Sequence, residues 1–401
     1  MDLNDIKKNG IIGAGGAGFP THIKLSSSPN TLIMNAAECE PLLHKDIEML
    51  RQYADEVLEG FFSAIKITGA KFGIIGIKRK HADVIKILSK YANGKIKVET
   101  ICDFYPAGDE ITLINLTTGR IVQPGQLPIS VKCIVQNVET LYNVGMKKPV
   151  VDKFISVAGA IEQPATVRVP IGISFAEVLS QFKMTTNSYV IRVGGLMMGS
   201  LTRDLNQVVD KRTNALIILP ADHHCVKTYE QFATQHDTDR IAKASCDQCT
   251  YCTEFCPRYL LGHPVRPEIS MRNRMFAKET DPIFNLGSAF CCECNLCTMY
   301  ACPEGLDPKG ATIFEKKIAL QNKIKWEALP VKSHPMINFR KVPTKKLMQR
   351  LDVLRFKDVG PLASLTFNPK IVRIPLMQHV GMPAKPIVEK DDFVKRYDLI
   401  A

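Results

Sequence analysis

Along the first 150 residues the apolar positions switch between two periods. Thr31–Asn35 and Lys71–Ile77 are apolar runs of strand length, and Ile96–Cys102 is a third. Between them Ile47, Leu50, Ala54, Val57, Leu58, Phe61 and Ile65 fall on one helical face. The pattern predicts one helix over His44–Thr68 and another over Lys80–Tyr91. Strands separated by helices of this length imply a mostly parallel, doubly wound α/β sheet, assigned to residues 1–150.

The period changes after residue 150. Phe154–Gly159, Ala165–Val169, Tyr189–Val193 and Ala215–Leu219 are brief β-type runs between turns, with one helix expected over Phe175–Phe182. Residues 151–220 therefore read as a small α+β module and residues 221–310 as a cysteine-rich helical region. Residues 311–401 read as an extension with a helix near Thr312–Gln321. Its last stretch, Ile371–Ala401, reads as β-like, punctuated by Gly381, Pro383 and Pro386.

Composition narrows the class. With 401 residues and 45% hydrophobic content the chain can bury a large core and is long for one domain. A charged fraction of 23% without low-complexity tracts argues against disorder. No apolar run reaches the ~18 residues that span a bilayer. The polar start, Met1–Gly10, lacks a signal-peptide pattern, so a soluble, cytoplasmic protein is expected. The net charge of +12 is uneven, with 18 Lys/Arg against 8 Asp/Glu in residues 311–401. That surplus predicts a solvated basic docking face for a protein partner. No aromatic-interleaved basic motif accompanies it, so no nucleic-acid partner is expected.

Of thirteen cysteines, eight fall into two quartets. Cys246, Cys249, Cys252 and Cys256 precede Pro257; Cys291, Cys294, Cys297 and Cys302 precede Pro303. Three cysteines at three-residue steps wrap three corners of an iron–sulfide cube, and the fourth, before proline, ligates the other cluster in two-cluster ferredoxins. On that logic Cys246, Cys249, Cys252 and Cys302 hold one 4Fe–4S cluster, and Cys291, Cys294, Cys297 and Cys256 hold the other. Zinc is the competing reading, but zinc sites use paired knuckles rather than triplets. Cys292 breaks the spacing and is not assigned as a ligand.

Gly10 to Lys24 is a glycine-rich loop, Gly-Ile-Ile-Gly-Ala-Gly-Gly-Ala-Gly-Phe-Pro-Thr-His-Ile-Lys, whose backbone amides can approach a phosphate or a flat ring. Three further segments add amide, carboxylate and hydroxyl groups at strand ends or helix starts: Asn35–Pro41, Tyr105–Glu110 and Gln136–Leu141.

These four segments resemble the FMN- and NADH-binding domain of the complex I flavoprotein subunit and of Rnf complex C subunits. They are most similar to the PduS type of cobalamin reductase. Val157–Pro164 and Gly194–Gly199 resemble the β-grasp SLBB module that follows in this family, and the paired quartets resemble its ferredoxin-like domain. The resemblance implies that Gly13, Gly15, Gly16 and Lys24 contact the FMN phosphate and ribityl chain. It sets Asn35 and Glu38 beside the flavin ring, and Asn137 and Thr140 on the phosphate side. Phe19, Asp109 and the two carboxylates taken as catalytic, Glu40 and Glu110, would line the nucleotide pocket. Ala14 and Ala37 stand where complex I has an arginine and an aspartate. Arg373–Ala401 resembles the first half of a lipoyl-like barrel-sandwich domain, with a second half expected after it.

The implied activity is an NADH-dependent oxidoreductase: hydride to FMN, single electrons through two 4Fe–4S clusters, then reduction of a corrinoid, possible within a bacterial microcompartment. The alternative is an Rnf-like relay subunit serving a membrane complex or another protein acceptor; a third reading is a cluster-bearing scaffold without flavin. His379 reads as structural, His223-His224 beside Cys225 as a surface loop, Met197-Met198 as core filling, and Tyr251 and Phe255 as a shield for a cluster.

Overall fold

Continuous apolar runs build the first sheet. β1 (Thr31–Ala36), β2 (Phe72–Lys78), β3 (Ile96–Ile101) and β5 (Cys133–Asn137) pair in parallel in the order β3-β2-β1-β5. Leu32, Ile33 and Met34 of β1 are fully buried, as a parallel strand covered on both faces requires. The computed structural model describes residues 1–232, 240, 245–276, 282–323 and 330–401. Around this sheet lie α1 (Leu3–Lys8), α2 (Thr21–Leu25), α3 (Lys45–Gln52), α4 (Ala54–Thr68), α5 (Ala82–Ser89), α6 (Glu110–Thr118) and α7 (Val138–Met146). Helices α4 and α7 touch backbone to backbone. A Cβ on Gly60 would sit 1.8 Å from the Leu141 carbonyl oxygen, and one on Gly145 2.0 Å from that of Glu56.

The helix expected over 44–68 is two helices, broken at Tyr53. No proline or glycine marks the break. The Tyr53 ring instead turns onto Tyr142 (5.3 Å between centroids) and Phe154 (5.8 Å), a contact no periodicity reveals.

The second sheet is mixed. β6 (Asp152–Gly159) and β7 (Ala165–Pro170) form a hairpin; β8 (Tyr189–Val193) and β9 (Ser200–Thr202) pair antiparallel; β10 (Ala215–Pro220) lies between β6 and β8, parallel to the former and antiparallel to the latter. The order is β7-β6-β10-β8-β9. One helix, α8 (Phe175–Leu179), crosses between the hairpin and β8, started by a Ser174/Glu177 capping box. It ends three residues earlier than its apolar pattern suggested.

Residues 221–310 contain short helical pieces, among them Tyr251–Glu254, Pro257–Leu260 and Pro267–Phe276, and the helix expected near 312–321 begins at Pro308. The rest of the extension wraps back over the earlier sheets. Val342–Pro343 pairs with β4 (Phe104–Tyr105), Ala363 N–H donates to the Thr166 carbonyl (2.9 Å), and Val380 N–H to that of Gly18 (3.0 Å). The β-like reading of 371–401 is corrected: this stretch contains no strand. Pro383 and Pro386 lack ladder donors, and no neighbouring strand among the described residues offers pairing.

Candidate functional site

The glycine loop is first closed on itself. Gly13 N–H donates to the Phe19 carbonyl (2.8 Å), and Ile12 and Pro20 form an antiparallel bridge. Gly16 turns the loop at φ +110°, where a side chain is disfavoured. The loop is then pinned to the start of α7. Ala14 N–H donates to Thr140 Oγ1 (2.8 Å), and Gly15 lies against Asn137, which caps α7 by accepting from Glu139 N–H (3.0 Å). Gly13, Gly15, Gly16, Asn137 and Thr140 are thus brought together at a helix amino end, where an anion is favoured.

The loop rests on a buried charge network that sequence reasoning missed. Lys153 donates to the Ala14 carbonyl (3.1 Å) and to Glu139. Glu139 also accepts from Lys45 (3.0 Å) and from Phe154 N–H (3.0 Å). Lys45 donates to Asp46 (2.6 Å), which accepts from Asn137 Nδ2 (2.6 Å). Burial alone would raise the Glu139 carboxyl, but Lys153 and Lys45 outweigh it and hold it below its ordinary value. Burial, then the nearby Lys45 charge, oppose Glu139 and bring Lys153 down to about 8.

At the ends of β1 and β5, Asn35 Nδ2 donates to the Gly108 carbonyl (2.8 Å) and Asn35 Oδ1 accepts from Ala37 N–H (3.1 Å). Glu38 Oε2 is buried here without a hydrogen-bond partner. Burial and then Asp46 hold the Glu38 carboxyl at about 7. An unpaired buried acceptor is what a donor on a bound polar ring edge would satisfy.

The residues expected around a nucleotide are differently engaged. Glu40 reaches into the second sheet's loop, accepting from Met197 N–H (2.8 Å) and Met198 N–H (3.0 Å); a Cβ on Gly195 would sit 2.7 Å from its carboxyl carbon. Burial raises its carboxyl. Asp109 caps α6 and accepts from both terminal nitrogens of the Arg258 guanidinium (2.7 and 2.9 Å). Burial raises it, but Arg258 more than compensates, so it is held low. Lys24, expected at the phosphate, pairs with Glu110 (2.6 Å). Phe19 stands 42% exposed at the rim.

The two cysteine loops share one backbone geometry. Gln248 and Thr250, flanking Cys249, have φ of +56° and +67°; Glu293 and Asn295, flanking Cys294, have +59° and +66°. Left-handed backbone at four matched non-glycine positions is strain that a wrapped ligand explains. Cys246, Cys249, Cys252 and Cys302 line one cavity. Cys256, Cys291, Cys294 and Cys297 lie together on the other side, where burial raises the thiols of Cys256 and Cys297 and, with negative neighbours, that of Cys291 to about 11. Among the described residues no three His, Cys, Asp or Glu side chains converge tightly enough for a single metal ion.

Two of the simpler expectations need correction. His223 is not in a surface loop but buried, capping the helix His224–Gln231 by accepting from Cys225 N–H (3.1 Å). Met198 is exposed, and only Met197 fills the core.

Comparison with known proteins assigns these features. Residues 6–146 match the Nuo51 FMN-binding domain family, and residues 245–307 the 4Fe–4S dicluster domain family. The chain is 34% identical to the cobalamin reductase PduS of Citrobacter freundii over 401 residues, covering 99% of this chain and 88% of that one. The chain belongs to the PduS family. A PduS family relative from Salmonella typhimurium strain LT2 is also 34% identical, with the same coverage. The C component of the proton-translocating ferredoxin:NAD(+) oxidoreductase complex of Clostridium ljungdahlii is 31% identical over 64% of this chain and 56% of that one. An NAD+-reducing NiFe hydrogenase in its H2-reduced state shares the fold, at a TM-score of 0.52 and 19% identity over 81% of this chain and 63% of that one. As a PduS family member the chain uses FMN and 4Fe–4S clusters. The pinned loop, the helix amino end and the unpaired Glu38 Oε2 fit FMN, and the matched cysteine loops fit the clusters.

Proposed function

We propose that this chain takes a hydride from NADH onto FMN and passes the electrons singly through two 4Fe–4S clusters to a corrinoid. The observation that carries the reading is the pair of matched cysteine loops folded against a flavin cradle in one chain. FMN accepts two electrons at once and releases them singly, and the clusters carry them onward. The chain's residues supply position and charge. Gly13, Gly15, Gly16 and Thr140 present the loop to the phosphate, Asn35 and Glu38 face the ring, and Asn137 orders the helix start. Phe19, Glu40, Asp109 and Glu110 border the nucleotide side; the ion pairs of Asp109 and Glu110 make them shapers of that wall. Lys24 reaches the phosphate only if it exchanges Glu110 for it. One cluster is held by Cys246, Cys249, Cys252 and Cys302, the other by Cys256, Cys291, Cys294 and Cys297.

The mixed sheet, with its hairpin, single crossing helix and central parallel pair β6–β10, supports reading residues 151–220 as a β-grasp module of the SLBB kind. A half barrel-sandwich at 373–401 has only the sequence resemblance behind it. A second acceptor class, a protein docking on the extension, is favoured by its surplus of positive charge and its exposed Met382 and Phe393.

The test is anaerobic. Protein reconstituted with iron, sulfide and FMN is given NADH with and without hydroxocobalamin. Bleaching of flavin and clusters followed by cobalamin reduction supports the proposal. Bleaching without cobalamin reduction moves the acceptor to a protein, and no bleaching overturns the NADH reading.

A further inference from the structure

We infer that electrons enter through the cluster of Cys256, Cys291, Cys294 and Cys297 and leave through the cluster of Cys246, Cys249, Cys252 and Cys302. The inference rests on the function proposed above and orders its two clusters. NADH yields NAD+, one proton to solvent and two electrons; each electron reduces the first cluster by one, and that cluster is reoxidised as it reduces the second.

The order follows from what each cysteine set touches. Tyr105, buried three residues before the Gly108 held by Asn35, donates its hydroxyl to the Cys294 carbonyl (2.7 Å). Asp109, next to the Gly108 held by Asn35, grips the guanidinium of Arg258, two residues beyond Cys256, through both of its terminal nitrogens. His263 Nε2 lies 2.8 Å from the Val122 carbonyl of the same domain. Asn295, beside Cys294, donates to the Met197 carbonyl (3.2 Å), while Met197 N–H donates to Glu40. Three residues expected around the bound nucleotide and flavin, Asn35, Glu40 and Asp109, are therefore joined through one or two further residues to the loops bearing Cys256 and Cys294.

The other set faces away. The cavity shared by Cys246, Cys249, Cys252 and Cys302 is lined by residues drawn from 246–272 and 302–308, and Cys249 is exposed. The two sites adjoin each other, since Cys302 N–H donates to the Cys297 carbonyl (3.1 Å). Electron transfer weakens steeply with distance, so the set packed on the flavin domain is the entry and the set open to solvent is the exit.

The test uses reconstituted full-length protein and two variants, Cys249→Ser and Cys291→Ser. Each is checked to retain one cluster by iron content, about four irons per chain. Samples are frozen at intervals after mixing with NADH, and reduced clusters are read by electron paramagnetic resonance. A parallel set reduces the bound flavin with light, so that a wrong electron donor leaves the ordering still measured. In Cys249→Ser the remaining cluster should be reduced as fast as the first cluster of the unmodified protein. In Cys291→Ser the remaining cluster should accept electrons from dithionite normally but from flavin about tenfold more slowly or worse, because its relay is gone. If Cys291→Ser does not fold, the spectrum from Cys249→Ser identifies the entry cluster, and that spectrum should appear first in the unmodified protein. Equal rates in both variants, or first appearance of the other spectrum, would overturn the order.

Discussion

Behind the glycine loop, Lys45, Glu139 and Lys153 are each at most 2% exposed, with both ammonium groups on Glu139, whereas in the extension the Arg355–Asp352 pair stands in water, both side chains more than half exposed. Both regions look simply charged in the sequence. The difference is what happens when one member is removed. A buried ammonium stripped of its carboxylate has no water to turn to, while an exposed one rehydrates. The buried network therefore fixes the shape of the glycine loop above it, and the exposed pair holds no packed surface in place.

The largest effect should come from breaking the buried side. Glu139→Gln strips the Lys45 and Lys153 ammonium groups of the carboxylate they share, and chemical denaturation should report a loss of about 3–5 kcal/mol together with weakened FMN retention. Arg258→Ala should be next, at about 2–3 kcal/mol, because it strands the Asp109 carboxylate between two domains. A loss below 1 kcal/mol in either would mean that water already reaches these groups.

Glu38 gives a smaller, pH-dependent effect. Its carboxyl is held at about 7, by burial and then Asp46, against an ordinary 4.5. The folded chain keeps a proton there that the unfolded chain has released, so this group lowers stability as pH rises from 4.5 to 7. Glu38→Gln should flatten that fall in the FMN-free protein, gaining about 1–2 kcal/mol at pH 8 relative to pH 5. An unchanged pH profile would remove Glu38 as a buried titrating group. The smallest effect belongs to the extension: Arg355→Ala should change stability by no more than about 0.5 kcal/mol. A larger change would mean that this ion pair is shielded from water.

What was legible in the sequence follows the same division. The strands of the first sheet and the two cysteine quartets are encoded by neighbours, so apolar runs and three-residue steps locate them. The Lys45–Glu139 contact joins residues 94 apart, and Lys153 stands at a strand start with no local sign of burial. The break at Tyr53 depends on rings from α7 and β6, again outside any local window. Asp109 was found by its motif, but its partner Arg258 follows a cluster cysteine and reads locally as an ordinary surface charge. In 371–401 apolar pairs such as Ile387-Val388 and Phe393-Val394 look β-like, yet Met382 and Phe393 remain exposed because pairing requires a neighbour that local pattern does not supply.

FMN in the pinned loop would be the gateway from NADH to the clusters. The most direct measurement compares cluster-loaded protein with and without FMN, each given NADH anaerobically, with reduced clusters counted by electron paramagnetic resonance. A cluster signal is expected only when FMN is bound, and is expected to return when FMN is added back. Cluster reduction by NADH without FMN, or none with FMN in place, would contradict it.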